Sequence, residues 1–116
     1  MKRDMDFIRA LLIAAESGDK GPLANYGEKE KAYHIALLME AGLVHGALAG
    51  GNLDPEVGHI HRLTWAGHDW LQSVRDDTLW KKAKEHVIKS GASWTFDLLK
   101  EWAKNEIRIR LQLPLP

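Results

Sequence analysis

One stretch limits the folds open to this chain more than any other. Tyr33-His-Ile-Ala-Leu-Leu-Met-Glu-Ala-Gly-Leu-Val44 is followed, after a gap, by Gly58-His-Ile-His-Arg-Leu-Thr-Trp-Ala-Gly-His-Asp-Trp-Leu71. In the first segment Ile35, Leu38 and Ala41 fall three apart, on one face of a helix. Gly42 supplies the left-handed position that ends it. Leu43-Val44 opens a β run, and Ile60, Arg62 and Thr64 alternate with His59, His61 and Leu63 in a second one. Thr64 is placed to cap a further helix. Helix, glycine turn, hairpin and helix in that order make the layout of a winged helix.

The rest of the chain hangs on that unit. Asp4 caps a first helix to about Glu16, with Met5, Ile8, Leu11, Leu12 and Ala15 on its buried stripe. Ser17-Gly18 stops it, and the turn-rich Asp19–Gly27 has room for a short strand at Leu23–Tyr26 at most. The central helix spans about Glu28–Ala41. The hairpin strands are expected at Leu43–Ala49 and His59–Thr64, joined by a long glycine-rich tip over Gly50–Gly58. A helix from Trp65 to about Arg75 follows, with Trp65, Trp70, Leu71 and Val74 available to a core.

Asp76-Asp77 then starts a helix over Thr78–Lys89, with Leu79, Trp80, Ala83, Val87 and Ile88 inward and Lys81, Lys82, Lys84 and Lys89 outward. Ser90-Gly91 ends it. Ser93 caps a last helix on which Phe96, Leu99, Trp102 and Ala103 recur at helical spacing. The five tryptophans all follow the hairpin and read as core rather than as a platform for stacked bases. Ile107–Leu113 alternates apolar and polar residues. The helix either continues to about Leu111, with Ile107 and Leu111 inward, or gives way to an extended arm laid on a sheet edge.

The expected class is therefore mostly α with a small β-hairpin (α+β): a winged-helix-like core followed by two to three C-terminal helices. With 116 residues it is read as one domain. Its parts are the winged-helix-like unit (1–64), a helical extension (65–106) and a C-terminal arm (107–116). The absence of cysteine excludes disulfides and thiolate zinc sites. The charged N-terminus and the lack of a long apolar run point to a soluble, cytoplasmic protein with no membrane partner.

Net charge is zero but unevenly spread. Residues 1–77 hold eight Lys/Arg against twelve Asp/Glu, and residues 78–116 hold eight against four. Affinity for DNA rests largely on cations facing phosphates, so the acidic helix–hairpin half argues against the usual employment of a winged helix. The expected outer face of the central helix shows Glu28, Lys31, His34 and Leu37 and no arginine. The expected hairpin tip offers only Asp54 and Glu56.

Histidines are the remaining chemistry. His59 and His61 share a strand face, and His45 is expected opposite His61, giving three imidazoles as weak candidates for a zinc site. No carboxylate is placed to orient them, so neither metal nor cofactor is assigned. Asp76-Asp77 beside Lys81 and Lys82 could mimic a nuclease site, but a helix start with a solvated face accounts for them. No nucleophile elbow, phosphate loop, dinucleotide fingerprint or HExxH motif occurs, and the chain is not expected to be an enzyme.

The opening Met1-Lys-Arg-Asp-Met-Asp-Phe-Ile-Arg, Tyr33-His-Ile-Ala-Leu-Leu-Met-Glu-Ala-Gly-Leu, Leu63-Thr-Trp-Ala-Gly-His-Asp-Trp-Leu and Arg75-Asp-Asp-Thr-Leu-Trp-Lys-Lys resemble domain of unknown function 2513. This is a family of short bacterial, phage and prophage proteins. The likeness runs in order to about Lys104 and departs at Ala66, where the family pattern usually has an acidic residue. It implies no activity. His34–Val44 is also similar to the recognition helix and turn of small winged-helix repressors, and fold likeness does not carry function.

Two functions remain in play, and the first is favoured because the lysine-rich second surface can supply affinity. One is a DNA-binding regulator, with Lys29, Lys31 and His34 in a groove, Arg62 on phosphate, and Lys81 and Lys82 adding nonspecific attraction to double-stranded DNA. The other is a non-enzymatic interaction module that binds a host or phage protein, or forms a homodimer, through its hairpin edge or C-terminal arm.

Overall fold

Side chains cap the starts of α1 (Met5–Ser17), α3 (Trp65–Val74) and α4 (Asp77–Lys89) in this protein. The computed structural model describes residues 2–51, 54–89 and 96–111. Five helices and one antiparallel hairpin appear in the order α1 (Met5–Ser17), a single 3-10 turn (Gly21–Leu23), α2 (Glu28–Glu40), β1 (Val44–Gly50), β2 (Pro55–Leu63), α3 (Trp65–Val74), α4 (Asp77–Lys89) and α5 (Phe96–Arg110). The class is α+β, mostly helical. No helix among the described residues is long and apolar enough to cross a membrane.

The chain divides into two compact units, Met1–Asp69 and Trp70–Pro116. In the first, the Asp4 carboxylate accepts the Phe7 N–H at 3.2 Å and caps α1, satisfying one of the donors that every helix start leaves open. Its buried stripe is Met5, Phe7, Ile8, Leu11, Leu12 and Ala14. Ala15, expected inside, is exposed. The 3-10 turn stands where a strand was the most the sequence allowed; Pro22 lies within it, and its ring fixes a φ suited to such a turn.

Helix α2 ends in a Schellman motif. The Leu43 N–H reaches the Leu38 carbonyl (3.0 Å) and the Gly42 N–H the Met39 carbonyl (3.1 Å). Gly42 holds φ at +74°, the left-handed geometry that glycine adopts without strain. Leu38 and Leu43, which flank the turn, are both buried.

From that turn β1 runs back against β2. The tip is shorter than expected because β2 begins at Pro55, four residues before His59. Gly58, in this early part of β2, lies against Ala32 and Ile35 of α2, and that tertiary contact outweighs the weak strand propensity of glycine. The base of the hairpin is knotted by Thr64. Its N–H donates to the Leu43 carbonyl (2.9 Å), its hydroxyl donates to the Gly42 carbonyl (2.7 Å), and its oxygen accepts the Gly67 N–H (3.1 Å). One side chain thus caps α3 and ties that helix to the end of α2.

Trp65, expected in the core, is 89% exposed. It sits two residues from the buried Gly67, about 200° around the helix, so it faces away from the side that packs.

In the second unit Asp76 caps α4 by accepting the Leu79 N–H (2.9 Å). The Trp70 and Trp80 rings meet edge to face at 6.2 Å, a favoured aromatic geometry. Leu71, Val74, Leu79, Ala83, Leu99 and Ala103 are also buried, and α4 packs on α5. Residues 107–110 continue α5, so the alternation there does not make an extended arm at these positions. Leu111, expected inward on the helical reading, is 63% exposed. Ser90-Gly91, Ser93, Trp94 and residues 112–116, and the side chains of Val87, Ile88, Lys89 and Phe96, lie outside the described residues.

Candidate interaction surface

Helix α2 and the hairpin carry most of the residues that the sequence offers for binding. Lys29 lies 3.7 Å from the Asp54 carboxylate across the hairpin tip, and Lys31 lies 3.5 Å from Glu28 one turn earlier. Both pairs are at least partly solvated and each adds little stability. Their effect on recognition is larger, because each carboxylate offsets part of the positive field that a run of phosphates would seek. The Arg62 guanidinium donates to the adjacent Leu63 carbonyl at 3.3 Å. The whole unit carries seven Lys/Arg against ten Asp/Glu. Lys81 and Lys82 stand exposed on α4, in the second unit.

His34, expected on the outer face of α2 as a groove contact, is instead buried at 1% exposure. Nε2 lies 2.9 Å from the Asp4 N–H and Nδ1 lies 2.8 Å from the Glu30 carbonyl. An amide only donates and a carbonyl only accepts, so the ring carries its proton on Nδ1 and accepts at Nε2. Neither nitrogen remains for nucleic acid, a metal or a proton relay. The histidine holds the start of α1 against α2.

Around it, Phe7 stacks on Tyr26 at 3.7 Å with the rings 3° from parallel and leans on His34 at 4.8 Å. Burial raises the Tyr26 phenol above the usual tyrosine range, and Asp4, Asp6 and Glu30 raise it further through their charges, with a hydrogen bond to Asp4. The proton is therefore held more tightly in the folded chain than in the unfolded one. The associated stability is complete below the unfolded tyrosine value, about 10, and is lost as pH rises through the higher folded value. Ultraviolet titration of wild type and Tyr26→Phe should show that the phenolate lost in the variant is one forming above pH 10.

The histidine trio does not assemble as expected. A bulge separates His45 from Gly46, so His45 pairs with Arg62 and His59 with Ala47, leaving His61 without a register partner. An extra residue on one strand shifts everything beyond it by one place. His59 and His61 do stay close, with ring centroids 5.5 Å apart. Among the described residues no group of three or more His, Cys, Asp or Glu is placed to hold a metal.

Sequence reasoning missed a groove bounded by α1, the 3-10 turn, α2 and β2, with a volume of about 110 Å³. Leu11, Leu23, Ile35 and Ile60 give it an apolar wall, and Lys20 and Lys31 stand beside them. No motif announces it, because its residues come from four separate elements.

The family model described as "Hypothetical protein (DUF2513)" matches residues 2–93. An uncharacterized protein of Haemophilus influenzae strain Rd is 33% identical over 115 residues, covering 92% of this chain and 96% of the relative. No solved structure matches.

Proposed function

The chain belongs to the DUF2513 family, and from that premise we propose that its first unit is a winged-helix scaffold that docks a partner protein and catalyses no reaction. The order of α1, α2, hairpin and α3 supports the scaffold. The observation that carries the docking role is the state of the cations on α2. Lys29 and Lys31 each face a carboxylate, and His34 is consumed inside the unit. A helix that reads DNA presents arginine, lysine or amide side chains to bases and phosphates. The exposed positions of α2 are instead mainly acidic, with Glu28, Glu30 and Glu40 beside Lys29. Trp65 adds an exposed aromatic side chain of the type enriched at protein interfaces.

Double-stranded DNA remains the second reading, favoured by exposed Lys81 and Lys82 on α4. Fluorescence anisotropy of labelled duplex separates the two. Docking predicts weak binding at low salt, lost at physiological salt and unchanged by Lys31→Glu, since the phosphate contacts then come from cations outside α2 such as Lys81 and Lys82. Binding that survives physiological salt and weakens about tenfold or more in Lys31→Glu would overturn the docking role, because a bidentate or phosphate contact is worth about that much.

A further inference from the structure

We propose that the groove beside β2 is a strand-addition site, in which an extended segment of a partner protein pairs with the open edge of β2, inserts one aliphatic side chain and sets an acidic side chain against Lys20 and Lys31. This rests on the docking role and gives it a place and a chemistry.

Two observations lead there. The sheet has two strands, β1 and β2, so among the described residues the second edge of β2 carries no strand. Such an edge presents unpaired N–H and C=O groups that template another chain. The groove, moreover, is lined by three consecutive residues of β2, Gly58, His59 and Ile60. A strand face would contribute alternate residues only, so the groove runs along the backbone edge, where main-chain pairing supplies affinity and a side-chain slot supplies selectivity.

Volume and charge choose the occupant. Sites for cofactors and drug-sized ligands run to about 300–1,000 Å³, well above the 110 Å³ here. An apolar cavity of about 150 Å³ accepts benzene, so this one suits a single aliphatic side chain. Lys31 is shared with an exposed Glu28 at 3.5 Å, and Lys20 has no carboxylate partner among the described residues. Their apolar stems extend the wall while the ammonium groups reach solvent. A carboxylate one residue from the inserted side chain complements both.

The test is a titration of the full-length, ¹⁵N-labelled protein with an acetylated, amidated hexapeptide of alternating leucine and glutamate. Two control peptides have leucine replaced by serine or glutamate by lysine. Amide shifts centred on Gly58, His59, Ile60 and Leu23 are expected. Affinity should fall about tenfold with either control peptide and with the pair Lys20→Glu and Lys31→Glu. Equal binding of all three peptides, or no binding, overturns the proposal. Shifts centred instead on Trp65 overturn this site while leaving the docking role standing, whereas salt-resistant DNA binding sensitive to Lys31→Glu removes that role itself. Broadening of the β2 amides with concentration, in the absence of peptide and with dimer mass by sedimentation, would give the edge to a second copy and overturn the partner segment.

Discussion

Gly67→Ala is expected to be the most damaging single substitution in the helix–hairpin unit, lowering stability by about 3 kcal/mol or more. A Cβ built on Gly67 would lie 2.0 Å from the Leu43 carbonyl oxygen and 3.0 Å from its carbon. Both are backbone atoms in the turn that ends α2, already held by the Thr64 N–H, so no flexible side chain can move to relieve the clash. The start of α3 would have to lift away, breaking the Thr64 bonds to Gly42 and Gly67. Thermal melting should fall by on the order of 10 °C or more. Thr64→Val removes only the hydroxyl and should cost about 1–2 kcal/mol. A Gly67→Ala melt no lower than that of Thr64→Val would show that α3 does not sit on the turn as described.

The second large effect belongs to His34. His34→Leu removes the acceptor of the Asp4 N–H and a ring packed against Phe7. A donor left buried without a partner costs about 1–3 kcal/mol, and the loss falls on the residue that caps α1. Urea unfolding should shift to lower concentration by about 1 M, given slopes of about 1–3 kcal/mol/M. Exchange of the Phe7 and Ile8 amides should accelerate more than that of α4. His34→Gln restores an acceptor and should recover part of the loss. If Leu and Gln variants unfold alike, the histidine contributes packing and not its hydrogen bonds.

The elements that could be read from the amino acids are those fixed by neighbours in the chain. Asp4, Gly42 and Asp76 each act within a few residues of their own position, as Thr64 does in capping α3, and local spacing locates them. His34 escapes such a reading because its partner, Asp4, lies thirty residues away and is a backbone group, which no residue type advertises. The pairing of His45 with Arg62, and the lack of a partner for His61, go with a bulge between His45 and Gly46 that the alternation of residue types does not reveal. Trp65 misleads because hydrophobicity suggests burial, while its angular position opposite Gly67 on α3 decides against it. At Ile107–Arg110 the two-residue alternation of hydrophobicity competes with continuation of α5, and the helix prevails at the cost of leaving Ile109 59% exposed. The groove was hidden for the same reason as the histidine: its lining is assembled across four elements.

The Thr64 knot has a consequence for engineering. It closes the chain between the end of α2 and the start of α3 at the foot of the hairpin, so the distal end is attached to an anchored base. Lengthening a loop between fixed ends costs only in proportion to the logarithm of its length. About ten foreign residues spliced between Gly51 and Asp54 would therefore cost about 1 kcal/mol, much less than a single methyl group at Gly67. The hairpin is a cassette: an epitope, a reporter peptide or a protease site can be carried at its end while the fold beneath is kept.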